Sequence, residues 1–453
     1  MKKILALSIL AITSNLIFAQ ESQKKCITNR ITQEALKKNP EYQIIRQNLI
    51  NYHQENKDIN KKDQSIITIP VVVHIVHRNS HPNIGSGTNI SNEQIEDQLR
   101  ILNEDYSKTN PEFPNPPRNT FINFAGNAEI QFCLASVDPN GNPTTGITRT
   151  STSRTSWDAD DNTDADAMKL TSSGGIHNWD PLRYLNIWVC NLTNSGGGIT
   201  AGYAYLPGLQ GSNQSWKDGP VVDFQYFGSI GAANTSDGRT TTHEIGHYLG
   251  LNHTFSENNW PSSSCLNNSG STICCDRDNS NVDDTPPTDA VYFGSVTSNT
   301  NNNTCDDTQY GFNTDALDMD ENYMSYASNT WMFSNGQVDA MLGTLNASTN
   351  QGGRRNLWQN STVTVNCINA TTNNLSESIN LSIYPNPTKG DLFINTSEKI
   401  IAISIYNLIG VRVISGTETN KNKLNVKELS NGVYFIRINT EKGSITKRII
   451  ISK

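Results

Sequence analysis

Runs of apolar residues separated by polar stretches predict a chain built from alternating strands and helices. The run from Ile67 to Val76 is apolar or β-branched at nearly every position, which is typical of a strand buried on both faces. In residues 91–106 the apolar side chains fall on one helical face, and Ser91 is placed to cap that helix. Further segments have the same characters: strands at 128–137, 184–190, 199–206 and 221–227, and a helix at 238–251.

The stretches on either side of these elements differ from them in composition and in the spacing of apolar residues. Residues 20–62 are polar, with weak helical spacing near 32–51, and are expected to lie outside the core as a pro-segment. Residues 363–378 are rich in Asn, Thr and Ser, which predicts a linker. Short alternating strands separated by glycines fill 379–453 and predict a small all-β sandwich. The remaining stretch, 63–362, is expected to form one α/β domain.

Composition and the N-terminus narrow the location of the protein. The 453 residues carry a net charge of −8 with no long basic run, which argues against nucleic acid or an anionic membrane as a partner. Lys2 and Lys3 precede a mostly apolar stretch that ends at Ala19, so residues 1–19 are interpreted as a secretory signal peptide. The stretch is short for a membrane anchor, and no other segment is expected to span a bilayer.

Eight cysteines in an exported chain predict disulfides. Four of them crowd one loop region rich in Asn and Asp: Cys265, Cys274, Cys275 and Cys305. Two bridges are expected there, and the three ways of pairing four cysteines stay open.

The strongest chemical signal is the sequence His243-Glu-Ile-Gly-His247-Tyr-Leu-Gly-Leu-Asn-His253. Positions i and i+4 share one face of a helix, so His243 and His247 can bind one metal ion. Gly250 allows a sharp turn that returns His253 as a third ligand. Three protein ligands leave zinc a fourth position for water, and Glu244 is placed to act as general base. The alternative, a helix with three unligated histidines, would bury polar groups at a high cost.

A second motif, Glu321-Asn-Tyr-Met-Ser-Tyr326, follows about 70 residues later. It resembles the methionine turn of the metzincin clan of zinc peptidases, which implies that Met324 forms an apolar floor under the metal. The same resemblance implies that Tyr326 stabilises the oxyanion of the attacked carbonyl.

Together these motifs resemble the pappalysin family of metzincins, over roughly residues 64–345. The resemblance implies a mixed sheet, an active-site helix, an irregular lower subdomain, and an edge strand at 202–206 that binds extended peptides. It also suggests a calcium site at Asp278, Asp284 and Thr285. Family members that cut beside basic residues carry an acid after the tyrosine of the methionine turn, whereas residues 327–331 contain none, so a strict basic preference is in doubt.

Cys26 and the C-terminal stretch suggest how activity is controlled and delivered. A thiolate from Cys26 could fill the fourth zinc position and keep a precursor silent, as in some pappalysins; a disulfide, perhaps to Cys367, is the alternative.

The stretch from Ser382 to Lys453 resembles the sorting domain of type IX secretion cargo, which implies contact with that machinery. A carbohydrate- or protein-binding sandwich is the alternative.

The sequence therefore predicts a secreted zinc endopeptidase. Two other functions are compatible with parts of this pattern: a silent surface adhesin on the same scaffold and a zinc amidase for small substrates. Intact Glu244 and Tyr326 argue against the adhesin, and the predicted peptide-binding edge argues against the amidase.

Overall fold

A computed structural model describes the fold. The described residues are 24–56, 66–255, 282–289, 291–310, 312–359, 365–366, 381–396, 399–407, 412–416, 423–440 and 443–453. The predicted signal peptide, the predicted linker and Cys265, Cys274 and Cys275 lie outside these residues. Contacts divide the chain into two units, Met1–Ile368 and Asn369–Lys453.

The first unit contains all the helices of the described residues and one large sheet. The helices are α1 Thr28–Lys38, α2 Pro40–Glu55, α3 Asn92–Tyr106, α4 Arg239–Tyr248, α5 Asn335–Asn346 and α6 Arg355–Gln359. The strands are β1 Lys24–Cys26, β2 Ile67–Arg78, β3 Ile130–Ala135, β4 Ile147–Thr152, β5 Trp157–Asp158, β6 Leu185–Cys190, β7 Leu192–Thr193, β8 Ile199–Tyr203, β9 Val221–Asp223 and β10 Val365–Asn366.

The sheet has the order β1-β8-β9-β6-β2-β3-β10, with β4 also pairing with β2, and β5 pairs separately with β7. Most neighbours are parallel, while β8 runs antiparallel to β9. Strand β2 pairs with three neighbours and is buried along nearly its whole length, which confirms the prediction from its unbroken apolar run. The mixed sheet of the predicted fold class is therefore present.

Helix α3 packs its apolar face against this sheet and against α4. Ser91 caps it, accepting a hydrogen bond from the Gln94 N–H at 3.1 Å, as the sequence predicted. Tyr106 is fully buried at the other end, and its hydroxyl donates to the Thr242 carbonyl at 3.0 Å. Helix α3 therefore fixes the position of α4, the helix that carries the two histidines.

The N-terminal segment differs from its prediction. It was expected to stay outside the core, yet it forms α1 and α2, and Ile31 and Tyr42 join a buried cluster with Tyr203 and Leu209. Few apolar residues are present in this segment, but those few are concentrated at its contact with the body. Helix α1 buries one face, with Ile31 and Ala35 on it, whereas α2 buries only Tyr42, Leu49 and His53, so the apolar spacing is weak in α2.

The second unit consists of two small sheets around their own apolar core. Its strands are β11 Leu381–Tyr384, β12 Asp391–Thr396, β13 Ile400–Tyr406, β14 Arg412–Gly416, β15 Lys423–Asn425, β16 Gly432–Thr440 and β17 Gly443–Ile451. The orders are β11-β12-β15 and β14-β13-β16-β17, with antiparallel pairing throughout. The predicted all-β module is confirmed, and β15 is a strand that the sequence pattern did not predict.

The described cysteines fall into two classes. Cys133 and Cys305 are disulfide-bonded. Cys26 and Cys190 are thiols. Cys26 therefore does not form the disulfide that is the alternative to its role at the metal.

Among the described residues, no helix is long and apolar enough to cross a membrane.

Candidate active site

Helix α4 presents two histidines and a glutamate towards one point. His243 and His247 lie one turn apart, and the helix ends at Tyr248. Gly250 then adopts φ +105°, a conformation that a side chain would disfavour, and the chain returns to place His253 beside the other two. The local sequence thus produces the predicted helix, turn and third histidine.

The three imidazoles converge through their Nε2 atoms. The Nε2 of His243 lies 3.1 Å from that of His247 and 3.0 Å from that of His253. The Nε2 atoms of His247 and His253 are 3.2 Å apart, so the three atoms form a triangle. The Nδ1 atoms of His243 and His247 each lie 2.7 Å from a backbone carbonyl, of Tyr323 and Leu251 respectively. A carbonyl only accepts, so these Nδ1 atoms carry the protons and the Nε2 lone pairs face one another.

This arrangement fits a metal ion. The Nε2 lone pairs of His243 and His247, 3.1 Å apart, repel unless a cation lies between them. Tetrahedral zinc with Zn–N bonds of about 2.0–2.1 Å would separate its nitrogens by about 3.3 Å. Burial lowers the pKa of His243 to about 3 and that of His247 well below its usual range, which keeps both rings in the neutral, metal-binding form.

Glu244 points to the same region from the next helical position. Its side chain is buried, and this burial raises the pKa of its carboxyl to about 8. Its Oε2 lies 3.5 Å from the Cys26 thiol and 3.4 Å from the Thr28 hydroxyl, and both donate to it. A carboxyl at this position, one residue after His243, can exchange a proton with a group bound beside the histidines.

The methionine turn lies directly against α4. A Cβ on Gly246 would come 2.4 Å from the Met324 sulfur, so only glycine permits this approach. The Tyr323 carbonyl of the same turn accepts the His243 Nδ1–H, and Met324 is fully buried. Tyr326 follows, with its hydroxyl 3.2 Å from the His253 Nε2. Met324 and Tyr326 thus lie beside the histidines.

Strand β1 brings Cys26 to the same cluster. One ligand atom from each of Cys26, His243, His247 and His253 lies within 4.8 Å of the others. The Cys26 N–H donates to the Tyr326 hydroxyl at 2.9 Å. Strand β1 pairs in parallel with β8, with Cys26 opposite Gly202, so the N-terminal segment covers the edge that was expected to receive peptides.

A cavity of about 610 Å³ opens beside Glu244. Strand β8 and Cys26 line one side, and the chain around the start of α4 and the chain after the methionine turn line the others. Its polar lining residues include Thr235, Asp237, Thr240, Ser328 and Thr330. The cavity is large enough for a substrate side chain next to the three histidines.

The predicted calcium residues have other partners. Asp284 accepts the Ser334 hydroxyl at 2.6 Å and the Gly336 N–H at 2.8 Å, so both of its oxygens stabilise the start of α5. Thr285 is buried, and Asp278 lies outside the described residues. None of these observations supports a calcium site.

Several residues at the site were not predicted from the sequence. Thr28 reaches Glu244 only because β1 pairs with β8. Asp105 accepts the Tyr323 hydroxyl at 2.6 Å and the Thr242 hydroxyl at 2.7 Å, a link across more than 200 residues. Asp237 could have been noticed, since an acid just before a predicted helix often lies at its N-terminus.

Comparisons with known proteins decide the family. Residues 172–346 match the family model described as pregnancy-associated plasma protein-A, the pappalysin peptidases. Mature mirolysin of Tannerella forsythia, solved in complex with a cleaved peptide, is 35% identical with a TM-score of 0.52. That match covers 66% of this chain and 97% of mirolysin. This chain belongs to the pappalysin family.

Other similar proteins agree with this assignment. A promirolysin variant of the same organism is 32% identical, with a TM-score of 0.55 and coverage of 74% of this chain and 96% of that one. An extracellular metalloprotease of Arthroderma gypseum is 26% identical over 280 residues, which is 61% of this chain and 72% of the relative. Residues 382–452 match the secretion system C-terminal sorting domain.

The pappalysin assignment confirms the predicted fold class and makes the chain a metalloendopeptidase. The sorting domain and the extracellular relatives confirm a secreted or cell-surface location.

Proposed function

We propose that this pappalysin is a zinc-dependent endopeptidase in which His243, His247 and His253 hold the zinc. The observation that carries the proposal is the triangle of Nε2 atoms, 3.0–3.2 Å apart, with the Nδ1 protons of His243 and His247 directed to carbonyls. Such carbonyl partners fix the tautomer and orient the rings for one ion. The bound zinc would polarise the scissile carbonyl and lower the pKa of water.

Glu244 is proposed as the general base. Its carboxylate would accept a proton from the attacking water at Oε2 and deliver it to the nitrogen of the departing amine. Its place on α4 directly after His243 brings it to the metal site.

Tyr326 and β8 would position the substrate. The Tyr326 hydroxyl lies at the histidine cluster and can donate a hydrogen bond to the oxyanion of the attacked carbonyl. Strand β8 pairs with β9 on one side and with β1 on the other. Once β1 leaves, its open edge can pair with an extended peptide.

The N-terminal segment is proposed to keep the precursor latent. The Cys26 Sγ lies within 4.8 Å of the three histidine ligand atoms, near enough to serve as a fourth zinc ligand. Thr28 contacts Glu244 and also accepts the Ala204 N–H at 3.0 Å. The segment therefore covers the metal site, the general base and the substrate edge together. The C-terminal module is proposed to direct export through the type IX machinery.

The decisive test is cleavage of a mixed peptide library by the purified protein after removal of its N-terminal segment, with and without a zinc chelator. Glu244→Gln should reduce kcat by several orders of magnitude while zinc content stays at one per chain. Glu93→Gln, an exposed change of the same kind on α3, should cut like wild type. Zinc-loaded, folded wild type that cuts no peptide would favour the adhesin instead.

Latency is tested separately with Cys26→Ala and Cys26→Ser in the full-length precursor. Loss of the thiol ligand should raise the rate of self-cleavage, and Ala should do so at least as strongly as Ser. A Cys26→Ala precursor that is as latent as wild type would remove Cys26 from the control of activity.

A further inference from the structure

The Tyr326 hydroxyl is held in the precursor by a group that belongs to the N-terminal segment. It accepts the Cys26 N–H at 2.9 Å, and its oxygen lies 3.2 Å from the His253 Nε2. The Tyr326 side chain is half-buried and lines the cavity beside Glu244. Rotation about two side-chain torsions moves a tyrosine hydroxyl, so the ring needs other contacts if the hydroxyl is to stay at the metal site after the segment leaves.

Two phenylalanine rings pack on the Tyr326 ring. The centroid of the Phe255 ring lies 4.9 Å away in an edge-to-face arrangement, and that of the Phe293 ring lies 5.7 Å away with a tilt of 41°. The rings of His243 and His253 lie 5.6 and 5.2 Å away. Aromatic pairs at such distances prefer defined orientations, and each pair favours the packed state by roughly two- to twelvefold.

Phe255 is fixed between the third histidine and the methionine turn. The N–H of Thr254, one residue earlier, donates to the Met324 carbonyl at 3.2 Å. The Phe255 ring also stacks on the His253 ring, with 4.6 Å between the centroids and 13° between the planes. A change at Phe255 would therefore disturb a metal ligand together with Tyr326.

Phe293 is fixed by the chain that follows Tyr326. The residue after Phe293 accepts the Ser328 N–H at 3.0 Å through its carbonyl. The Asn329 side chain accepts the Val296 N–H at 2.7 Å and donates to the Val296 carbonyl at 2.8 Å. These bonds lie within the catalytic unit, so the contact between Phe293 and Tyr326 does not depend on the N-terminal segment.

We propose that Phe293 is a positioning residue for peptide hydrolysis. Together with Phe255, it holds the Tyr326 ring so that the hydroxyl remains beside the attacked carbonyl after the N-terminal segment has left. Phe293 also lines the cavity, so its action through Tyr326 has to be separated from a direct contact with the substrate. This inference rests on the proposed function, in which Tyr326 stabilises the oxyanion.

The test is a double-mutant cycle on the zinc-loaded protein after removal of its N-terminal segment. Phe293→Leu keeps an apolar side chain but removes the ring, and should lower kcat by roughly three- to tenfold with little change in KM. Tyr326→Phe removes the hydroxyl and should lower kcat by about a hundredfold or more. Adding Phe293→Leu to Tyr326→Phe should lower kcat by no more than about twofold further, because no hydroxyl is left to position.

Two further variants and a binding measurement control for effects on the fold. Phe293→Tyr keeps the ring and should restore most of the loss in kcat. Phe224→Leu is the matched control, because Phe224 is also half-buried but lies outside the cavity lining, and it should leave kcat unchanged. A phosphinic peptide, which resembles the tetrahedral intermediate, should bind Phe293→Leu roughly three- to tenfold more weakly in calorimetry, while zinc content stays at one per chain.

The outcomes distinguish this inference from the function on which it rests. If Phe293→Leu lowers kcat equally with and without the Tyr326 hydroxyl, or not at all, Phe293 does not act through Tyr326 and the endopeptidase function is unaffected. A Tyr326→Phe protein that cuts like wild type would also overturn the inference, since there would be no hydroxyl contribution to position. If zinc-loaded wild type cuts no peptide, the proposed function itself fails.

Discussion

At the scale of single residues, Asp105 connects three elements around the metal site. Its carboxylate accepts the Tyr323 hydroxyl at 2.6 Å and the Thr242 hydroxyl at 2.7 Å. Thr242 precedes His243 in α4, and the Tyr323 carbonyl accepts the His243 Nδ1–H. Asp105 is therefore a positioning residue that holds His243 from both sides, although it lies on α3.

Asp105→Asn should weaken zinc binding without unfolding the protein. Its amide can accept only one of the two hydroxyl protons, so one contact beside His243 is lost. Changes to such outer partners typically cost 10–100-fold in metal affinity or activity. Zinc affinity, measured by chelator competition, should fall by about that factor. Glu104→Gln, the half-buried neighbour, is the control. Equal zinc affinity in both variants would contradict a positioning role.

The site residues differ in how far their position could be predicted from the neighbouring sequence alone. His243, Glu244 and His247 lie within five positions, so helical spacing alone was enough to predict that they converge. Met324 and Tyr326 were found from a resemblance, since nothing in their spacing links them to α4. Asp105 and Thr28 were not predicted, because long-range pairing of separate elements brings them to the site.

At the scale of elements, the N-terminal helices form a buried contact with the body. Tyr42 of α2 is fully buried, and its hydroxyl donates to the Leu206 carbonyl at 2.7 Å. Gly208 adopts φ +121°, and a Cβ there would come 3.0 Å from the Tyr42 ring. The prediction of a segment outside the core was wrong because a few apolar residues, rather than a continuous face, make this contact.

Tyr42→Ala should loosen the N-terminal segment. Removing a buried aromatic side chain typically costs about 3–5 kcal/mol. Because Tyr42 packs between α2 and the body, the free energy that is lost here is that of docking the N-terminal segment on the body. We expect faster maturation in a time course of secreted precursor followed by gel electrophoresis. Ile44→Ala changes a residue of the same helix that is 63% exposed and should mature at the wild-type rate. Indistinguishable time courses for the two variants would show that α2 does not limit release.

Docking of α2 should also depend on pH through His53. This histidine is buried, with its Nε2 3.4 Å from the Thr344 hydroxyl, and burial together with the nearby Arg46 charge lowers its pKa to about 4. Between pH 6.5 and 4 the released segment gains a proton that the docked segment cannot hold. Acidification therefore favours release, by up to tenfold per pH unit and about 3 kcal/mol in total.

The measurement is the fraction of cleaved segment that co-elutes with the body in gel filtration between pH 4.5 and 7.5. His53→Gln should flatten this dependence, whereas His177→Gln, which changes an exposed histidine, should retain it. A His53→Gln protein whose release still follows the wild-type pH curve would assign the effect to other groups.

At the scale of the whole molecule, each unit has its own core. The C-terminal cluster is built only from residues of 381–451, such as Ile405 and Ile436, whereas the clusters of the first unit end at Trp358. Alternation of apolar residues predicted most strands of the C-terminal unit, because its sheets are antiparallel and its strands are consecutive or nearly so. The order of the large sheet was not predictable in this way, because parallel neighbours are joined through long crossovers.

Two separate cores predict that export and catalysis can be separated. Deleting residues 379–453 should abolish release into the medium while the retained chain keeps its peptidase activity within about twofold after extraction. Ile436→Asp, which places a charge in the C-terminal core, should have the same effect without shortening the chain. Lys447→Asp, an exposed change on β17, should be exported normally.

A truncated protein that reaches the medium in wild-type amounts would contradict the sorting role. A truncated protein that is inactive but folded would instead show that the C-terminal unit contributes to catalysis, which the separate cores argue against.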